Sequence, residues 1–182
     1  MRVIAGSAKG TRLFAPVNAR LRPTTDRTKQ VLFDTLLSIS PLPEFVIDIF
    51  AGTGALGIEA LSRGAKKALF IEKSAKAVKY IHRNLEQTHL APKAQVILAD
   101  AFVFLKRHDA VGCSMLLADP PYGGEFASKL LDLVAQTSIL SLGGILALEA
   151  NASYIPIIKN NLALIREKQI GDTKIFLIEK KD

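Results

Sequence analysis

The sequence predicts a doubly wound α/β fold, in which a mostly parallel, seven-stranded sheet ends in an antiparallel hairpin. From residue 45 onward, short apolar segments alternate with segments of helical periodicity. The apolar segments are nearly continuous, as expected for strands covered by helices on both faces of a parallel sheet. The last two strand candidates, "LALIREK" and "KIFLIEK", are separated only by "QIGDT". A connection this short permits only antiparallel pairing.

Residues 1–39 precede the alternating part and are expected to form a basic hairpin and a helix that pack on it. "RVIAG" and "TRLFAP" are typical of short strands around the turn "SAKG". The stretch "RPTTDRTKQVLFDTLLSI" predicts a helix capped near Thr25. Its apolar face comprises Val31, Leu32, Thr35, Leu36 and Ile39. The linker "SPLPE" contains two prolines, so we expect a core over residues 40–182, within one structural domain overall.

Five parallel strands are predicted in the core, followed by the terminal hairpin. The strand segments are "FVIDIF", "ALFIE", "AQVILA", "SMLLA" and "GILALEA". Helices are expected to begin near Gly54, Ser74, Ala101 and Glu125, with a shorter one near Tyr154. An antiparallel hairpin at the edge of such a sheet is unusual for nicotinamide-binding folds. It is the usual arrangement of the Rossmann-like class I methyltransferase fold.

Composition excludes several classes of protein. With 49% apolar and 23% charged residues, the chain is globular rather than disordered. No apolar run approaches the roughly 20 residues of a membrane span, and no secretory signal is recognised. The single cysteine, Cys113, excludes an internal disulfide and fits a reducing compartment, so we expect a cytoplasmic protein without a membrane partner. His82, His89 and His108 lack ligand spacing, and we expect no metal.

Positive charge is concentrated at the start of the chain. The formal net charge is +7, and residues 1–30 hold seven basic residues against one acid, Asp26. This distribution favours a polyanionic partner, with nucleic acid preferred over an acidic membrane because no basic amphipathic helix is present. A solvated charged surface is the alternative interpretation. The candidate RNA-binding residues are Arg2, Lys9, Arg12, Arg20 and Arg22.

A glycine-rich loop follows the first core strand. Gly52, Gly54 and Gly57 satisfy G-x-G-x-x-G at the start of a helix, which lets a ligand approach the backbone and the helix N-terminus. Glu72 ends the next strand, 20 residues after Gly52, where a carboxylate can accept both hydroxyls of a ribose. This pattern alone is compatible with NAD, FAD or S-adenosylmethionine.

Two further acids favour S-adenosylmethionine. Asp48 lies inside the first core strand, where it would repel a pyrophosphate but suit an ammonium and a sulfonium. Asp100 ends the third strand, in position to accept a hydrogen bond from an adenine amino group. The alternative is that these carboxylates only cap helices.

The segment "LLADPPY" ends the fourth core strand, at the edge where open α/β sheets bind ligands. Next to a methyl donor, it suggests transfer to the exocyclic amino nitrogen of a base. The Asp119 carboxylate and the Pro120 carbonyl would accept the two N–H bonds and aim the nitrogen lone pair. Tyr122 would offer a face on which the extruded base stacks. Cytosine-C5 chemistry would require a cysteine in this loop, and Cys113 lies before the strand.

The stretches "RPTTDRTKQVLFD", "DIFAGTGALGIEALSRGA" and "LLADPPY" resemble the RsmD family of bacterial 16S rRNA guanine-N2 methyltransferases. "MRVIAGSAKGTRL" and "REKQIGDTKIFLI" extend the resemblance over essentially the whole chain. The resemblance implies S-adenosylmethionine as donor, S-adenosylhomocysteine as product and no metal. It also implies a guanine of 16S rRNA in the assembled or assembling small subunit as target, and we expect a monomer.

Carried over by position, the resemblance implies roles for individual residues. The methionine part of the donor would be held by Asp48, Gly52, Thr53 and Gly54, the ribose by Glu72, and the adenine end by Asp100 and Ala101. Asp119, Pro120 and Tyr122 would hold the guanine. Arg22, Pro23 and Thr24 match a family element near the cofactor edge without assigned individual roles, and Glu149 matches an acidic strand end without assigned chemistry.

Other functions are weighed against this one. The first alternative is an adenine-N6 methyltransferase acting on DNA or RNA, although 182 residues leave little room for the target-recognition region of a DNA enzyme. A NAD-dependent oxidoreductase is disfavoured by Asp48 and by the terminal hairpin. A non-enzymatic RNA-binding module would leave the glycine loop and "DPPY" unexplained.

Overall fold

The predicted fold is confirmed in a computed structural model, which describes residues 1–16, 26–107, 112–121 and 124–182. The helices and strands alternate from residue 45, as the periodicity predicts. The helices are α1 (Asp26–Leu37), α2 (Ala55–Ser62), α3 (Ala75–Gln87), α4 (Ala101–Arg107) and α5 (Gly124–Gln136). The strands are β1 (Phe45–Ile49), β2 (Lys67–Glu72), β3 (Ala94–Leu98), β4 (Cys113–Ala118), β5 (Leu140–Asn151), β6 (Leu162–Ile170) and β7 (Thr173–Lys180).

The strands form one sheet in the order β3-β2-β1-β4-β5-β7-β6. Strands β1 to β5 pair in parallel, and β7 lies antiparallel between β5 and β6. The order in which successive strands are added to the sheet changes direction between β1 and β4. The carboxyl ends of these two strands therefore form the switch point where open α/β sheets bind ligands. Strands β6 and β7 are joined at Gly171, whose φ of +57° suits the tight two-residue turn.

Two apolar cores, one on each face of the sheet, hold the helices in place. Alternate residues of β4 show the division, since Met115 and Leu117 belong to one core and Leu116 and Ala118 to the other. The first core also contains residues of the N-terminal segment, α1, α2 and α3, and the second contains residues of α4 and α5. None of the described helices is long and apolar enough to cross a membrane.

The predicted N-terminal hairpin is present, but it is not built from two strands. Its halves are joined by a single antiparallel bridge between Arg2 and Arg12. Backbone groups that would extend the ladder are used elsewhere: the N–H groups of Ile4 and Ala5 donate to the Glu59 carboxylate at 2.8 and 3.0 Å. The hairpin is therefore held by α2 as well as by its own backbone bonds, which include those from Val3 to Thr11 and from Leu13 to Met1.

The prediction of a short helix near Tyr154 is wrong. Strand β5 extends to Asn151, and the residues that follow form a turn and an irregular segment up to β6. The Asn151 side chain accepts hydrogen bonds from the backbone N–H and the hydroxyl of Ser153, at 2.9 and 2.8 Å, which stabilises the turn. Pro156 disfavours helical backbone at Ile155, so a helix does not propagate from this turn.

Candidate active site

A cavity of about 400 Å³ opens at the carboxyl edge of the sheet, above β1, β2 and β4. Four of the acids selected from the sequence line it: Asp48, Glu72, Asp100 and Asp119. They follow or end four different strands, and the parallel pairing brings those strand ends to one edge. Among the described residues that line this cavity, Lys73 is the single basic one. The cavity is therefore suited to a cationic ligand more than to an anionic one.

The glycine loop forms the floor of this cavity. Gly52 and Gly54 have φ angles of +55° and +80°, and Gly54 is the N-cap of α2. A side chain at Gly57 would meet the Phe70 ring, because an added Cβ would lie 2.3 Å from the ring edge. Gly57 thus allows α2 to pack closely on β2. The carbonyl of Thr53 accepts a hydrogen bond of 2.9 Å from the Asn84 side chain of α3, which fixes the loop from above.

Asp48 is buried beneath the loop, with only 1% of its surface exposed. Its Oδ2 accepts the backbone N–H of Gly57 at 2.8 Å. Burial, together with the negative charges of Asp119 and Glu72, raises the pKa of Asp48 to about 7, although the Gly57 hydrogen bond opposes the shift. A cationic group in the cavity would stabilise the ionised form of this carboxylate.

Glu72 is held by backbone groups on both sides. Its Oε2 accepts the N–H of Gly52, and its Oε1 accepts the N–H of Ser74, each at 2.8 Å. These bonds orient the carboxylate and tie the glycine loop to the end of β2. A carboxylate offers about four lone-pair sites, so each oxygen retains capacity for a hydroxyl donor of a ligand.

The capping interpretation applies in part to Asp100. Its Oδ1 accepts the N–H groups of Phe102 and Val103, at 2.9 and 3.1 Å, at the start of α4. Asp100 and Ala101 both line the cavity, so the residue that caps the helix also borders the ligand space. From the sequence, helix capping and ligand binding are alternative roles for Asp100, whereas the geometry is compatible with both.

The Asp-Pro-Pro segment separates the first cavity from a second one, also of about 400 Å³. Asp119, Pro120 and Pro121 line both cavities. Asp119 is half-buried and Pro120 buried, which leaves the segment anchored between the two spaces. Tyr122 lies outside the described residues, and its stacking role stays a prediction.

Sequence reasoning missed several residues that line these cavities. Phe50 adopts a φ of +81°, which is rare for a bulky residue and marks the turn into the glycine loop. Tyr80 of α3 and Phe126 of α5 form side walls of the first cavity. Glu149 lines the second cavity, although the sequence offered no chemistry for it. Phe50, Tyr80 and Phe126 belong to no motif in the sequence, whereas Glu149 is identified there as an acidic strand end.

Cys113 is the first residue of β4 and is buried in the core. Burial raises the pKa of its thiol to about 12, so this cysteine is not available as a nucleophile. His82 and His89 are exposed, and His108 lies outside the described residues. No group of three or more metal-ligating side chains occurs in the part of the chain that the structure describes.

Of the candidate RNA-binding residues, the three that the structure describes, Arg2, Lys9 and Arg12, do not line the cavity. Arg2 is exposed but pairs with Asp26, with its Nε 3.2 Å from the carboxylate. Lys9 lies at the tip of the hairpin, beside the end of α2 distant from the glycine loop, because the N–H groups of the neighbouring Ser7 and Ala8 donate to Ser62.

The remaining residues of the predicted basic arm have different fates. Arg12 is exposed, and its bridge to Arg2 places it toward the open end of the hairpin. Lys29, counted with the basic arm in the sequence, is fully buried and cannot contact RNA. Arg20, Arg22, Pro23 and Thr24 lie outside the described residues, and their roles stay predictions.

Comparisons with known proteins agree with this geometry. The family model described as Conserved hypothetical protein 95 matches residues 1–179. The Ribosomal RNA small subunit methyltransferase D of Escherichia coli K12 is 31% identical over 100% of this chain and 90% of its own. The structure of the hypothetical protein TTHA0928 of Thermus thermophilus superposes with a TM-score of 0.83 at 30% identity, covering 98% of this chain and 99% of that one.

A more distant likeness concerns the fold alone. The structure of SMU.776, solved in complex with S-adenosylhomocysteine, has a TM-score of 0.69 at 17% identity. It covers 85% of this chain, which corresponds to 48% of that chain. The class I methyltransferase fold predicted from the strand pattern is thus found in proteins well beyond close relatives.

Proposed function

We propose that the protein is an rRNA methyltransferase, because this chain belongs to the RsmD family. The model of this family is described as Conserved hypothetical protein 95. Its substrate would be the exocyclic N2 amino group of one guanine in 16S rRNA, within the assembled or assembling small ribosomal subunit. S-adenosylmethionine would be the donor and S-adenosylhomocysteine the product, and no metal takes part. The protein would act in the cytoplasm as a monomer.

The observation that carries this proposal is the cavity above the glycine loop, which four acidic residues line. A dinucleotide would place two phosphates against the loop, next to the buried Asp48, and would meet repulsion there. S-adenosylmethionine has an ammonium, a sulfonium and a ribose diol instead. Asp48 supports the cationic groups through the field it exerts from below the loop, and Glu72 is oriented to accept the diol.

The donor supplies an electrophilic methyl group, and this chain's residues position the amino group that receives it. Asp119 and Pro120 lie between the two cavities, so an amino group that bridges them meets a carboxylate and a backbone carbonyl. Accepting its two N–H bonds draws the nitrogen toward tetrahedral geometry. The nitrogen gains the methyl group and loses one proton, which Asp119 or water accepts. Preorganisation of this kind is an electrostatic contribution to catalysis.

Asp119→Ala tests this assignment directly. Turnover is expected to fall by about 10²–10³-fold, the scale seen when one preorganised polar partner of a transition state is removed. Affinity for S-adenosylmethionine is expected to stay near the parental value, because Asp48, Glu72 and the glycine loop remain. Asp119→Asn keeps an acceptor oxygen without the charge, and should give an intermediate rate.

Single-turnover methylation of small subunits from a strain that lacks this enzyme measures these rates, and mass spectrometry of the 16S rRNA identifies the modified base. Methylation by Asp119→Ala at the parental rate would remove Asp119 from the mechanism. Modification of an adenine amino group would replace the guanine proposal with its adenine-N6 alternative.

We also propose that residues 1–39 serve as a docking part for rRNA on the core over residues 40–182. Lys9 and Arg12 are exposed on the hairpin and support this role. Because Lys9 lies at the far end of α2 from the glycine loop, it would contact RNA well away from the methylated base.

A further inference from the structure

The second cavity, beyond Asp119, is lined by a buried carboxylate that the proposed methyl transfer does not yet use. Glu149 of β5 lines this cavity together with Asp119 and Pro120, and only 7% of its surface is exposed. The cavity that it borders lies on the acceptor side of the Asp-Pro-Pro segment, opposite the space assigned to the donor.

The sheet places Glu149 directly beside Asp119. Strands β4 and β5 are parallel, and their last paired positions are Ala118 and Leu148. The next position on each strand is Asp119 and Glu149, and adjacent strands are about 4.8 Å apart. Residues alternate between the two faces along a strand, and Leu117 and Ala147, two positions earlier, both belong to the first core. Asp119 and Glu149 are therefore expected on the same face of the sheet.

Two neighbouring carboxylates can accept hydrogen bonds from the edge of a base on which several donors lie side by side. The Watson–Crick edge of guanine carries N1–H beside the N2 amino group, so all the hydrogens on these two atoms are donors. Adenine presents an acceptor, N1, beside its N6 amino group, and cytosine presents N3 beside its N4 amino group. A carboxylate next to the amino-binding group therefore attracts guanine and repels the lone pair of either other base.

We propose that Glu149 is the specificity-determining residue that selects guanine, by accepting N1–H while Asp119 and Pro120 hold the adjacent amino group. This inference rests on the proposed methylation of an amino group at Asp119. The second cavity, of about 400 Å³, lies within the volume range of small-molecule sites. Sites built to bond a polar group discriminate strongly against analogues that lack it, because the buried group of the protein is then left unpaired.

The base analogue 2-aminopurine isolates this contact. It keeps the 2-amino group but has an acceptor at N1, and it lacks the O6 of guanine. The parental enzyme is expected to methylate small subunits reconstituted with guanine at the target position at least about 100-fold faster, in kcat/KM, than subunits with 2-aminopurine there. This comparison needs no variant of the protein, so it does not depend on whether a change at Glu149 folds.

Glu149→Gln then assigns the discrimination to this residue. The amide can donate to the N1 of 2-aminopurine, so we expect kcat/KM for guanine to fall by about 100-fold and the guanine preference over 2-aminopurine to fall at least tenfold. Glu149→Asp keeps the charge on a shorter side chain and should retain most of the preference. Calorimetry with S-adenosylmethionine should give parental affinity for both variants, which shows that the donor site is intact.

The outcomes separate this inference from the proposed function. If the parental enzyme transfers no methyl group to the guanine of small subunits, the proposed function fails. If it methylates guanine but accepts 2-aminopurine equally well, N1–H is not recognised and the inference about Glu149 is wrong. A preference in Glu149→Gln within fivefold of the parental preference would also overturn it, since another residue would then read the base.

Discussion

Two buried carboxylates, Glu59 within α2 and Asp48 beneath its start, differ in how many hydrogen-bond donors and cations the chain places around them. Glu59, in the middle of the helix, is fully buried and has four donors within reach. It accepts the N–H groups of Ile4 and Ala5, pairs with Arg63 at 2.7 Å, and lies 3.8 Å from the Lys29 ammonium. Asp48, beneath the start of the same helix, has the N–H of Gly57 and two acidic neighbours.

The difference is one between a structural acid and an acid that we propose to be functional. The charge of Glu59 is compensated within the chain, and it fastens the N-terminal hairpin and α1 to the core. The charge of Asp48 is not compensated by the described residues, and its pKa is raised to about 7 in consequence of burial. A ligand that carries positive charge completes the environment of Asp48, whereas nothing further is required at Glu59.

The largest effect is expected for Glu59→Ala. Removing this carboxylate takes an acceptor from the buried Lys29 and Arg63 and the acceptor from two backbone N–H groups, which should lower the free energy of unfolding by about 3–5 kcal/mol. Urea denaturation followed by circular dichroism measures the loss. The folded fraction should bind S-adenosylmethionine with parental affinity, because the glycine loop does not involve Glu59.

Glu44→Ala is the matched control for this variant. Glu44 is an exposed acid paired with Lys66, and its loss should change stability by less than about 1 kcal/mol. Equal stabilities of the two variants would contradict the structural role of Glu59 and the contrast drawn with Asp48.

Asp48→Asn should act in the opposite direction on stability. The pKa of Asp48 in the folded protein, about 7, lies above its value of 3.8 in the unfolded chain. The folded state therefore binds more protons between these values, and the contribution of Asp48 to stability falls as pH rises through this window. At pH 8 the neutral amide should stabilise the ligand-free protein, by at most about 4 kcal/mol. Lower stability of Asp48→Asn at pH 8 would contradict this assignment.

The same residue should make cofactor binding depend on pH. Only the ionised carboxylate attracts a cationic ligand, so affinity for S-adenosylmethionine should fall up to about tenfold for each pH unit below 7 and level off above it. Calorimetry across pH 5 to 9 measures this dependence. In Asp48→Asn the contribution should vanish, and because the ligand's own titration is common to both proteins, the difference isolates Asp48.

Glu72→Ala should weaken S-adenosylmethionine binding by roughly 2–3 kcal/mol, because two hydroxyl donors lose a charged acceptor. Glu72→Gln should retain part of this affinity, since one oxygen still accepts from Gly52 or from the ligand. Thermal unfolding of the ligand-free proteins shows whether the loop, which Glu72 ties down through Gly52 and Ser74, has been loosened. Unchanged affinity in a folded Glu72→Ala protein would exclude Glu72 from the ligand site.

The smallest effect concerns the exposed basic residues of the hairpin. A Lys9→Ala, Arg12→Ala variant should flatten the salt dependence of binding to the small subunit by up to about two units of slope, one for each lost phosphate contact. S-adenosylmethionine affinity should not change. A Lys66→Ala, Lys181→Ala variant removes the same charge elsewhere, so equal slopes for the two variants would reduce the hairpin to a solvated surface.

The sequence by itself determined the fold class and the four acids of the first cavity. Strand ends are marked in the sequence by the residues that follow each apolar run, and parallel pairing brings such ends to one edge of the sheet. Asp48, Glu72, Asp100 and Asp119 can therefore be selected from the sequence alone. The tight terminal turn at Gly171 likewise required an antiparallel pair.

Only the tertiary structure decided which charged residues are buried and form ion pairs or hydrogen bonds within the protein. Lys29 reads as part of a basic arm in the sequence, yet it is buried beside Glu59, and Glu59 itself reads as an ordinary helical residue. Glu149 lies beside Asp119 because β5 pairs with β4, a relation between residues 30 positions apart that no local pattern encodes. Burial and pairing depend on which segments meet in space, and that follows from packing across the whole sheet.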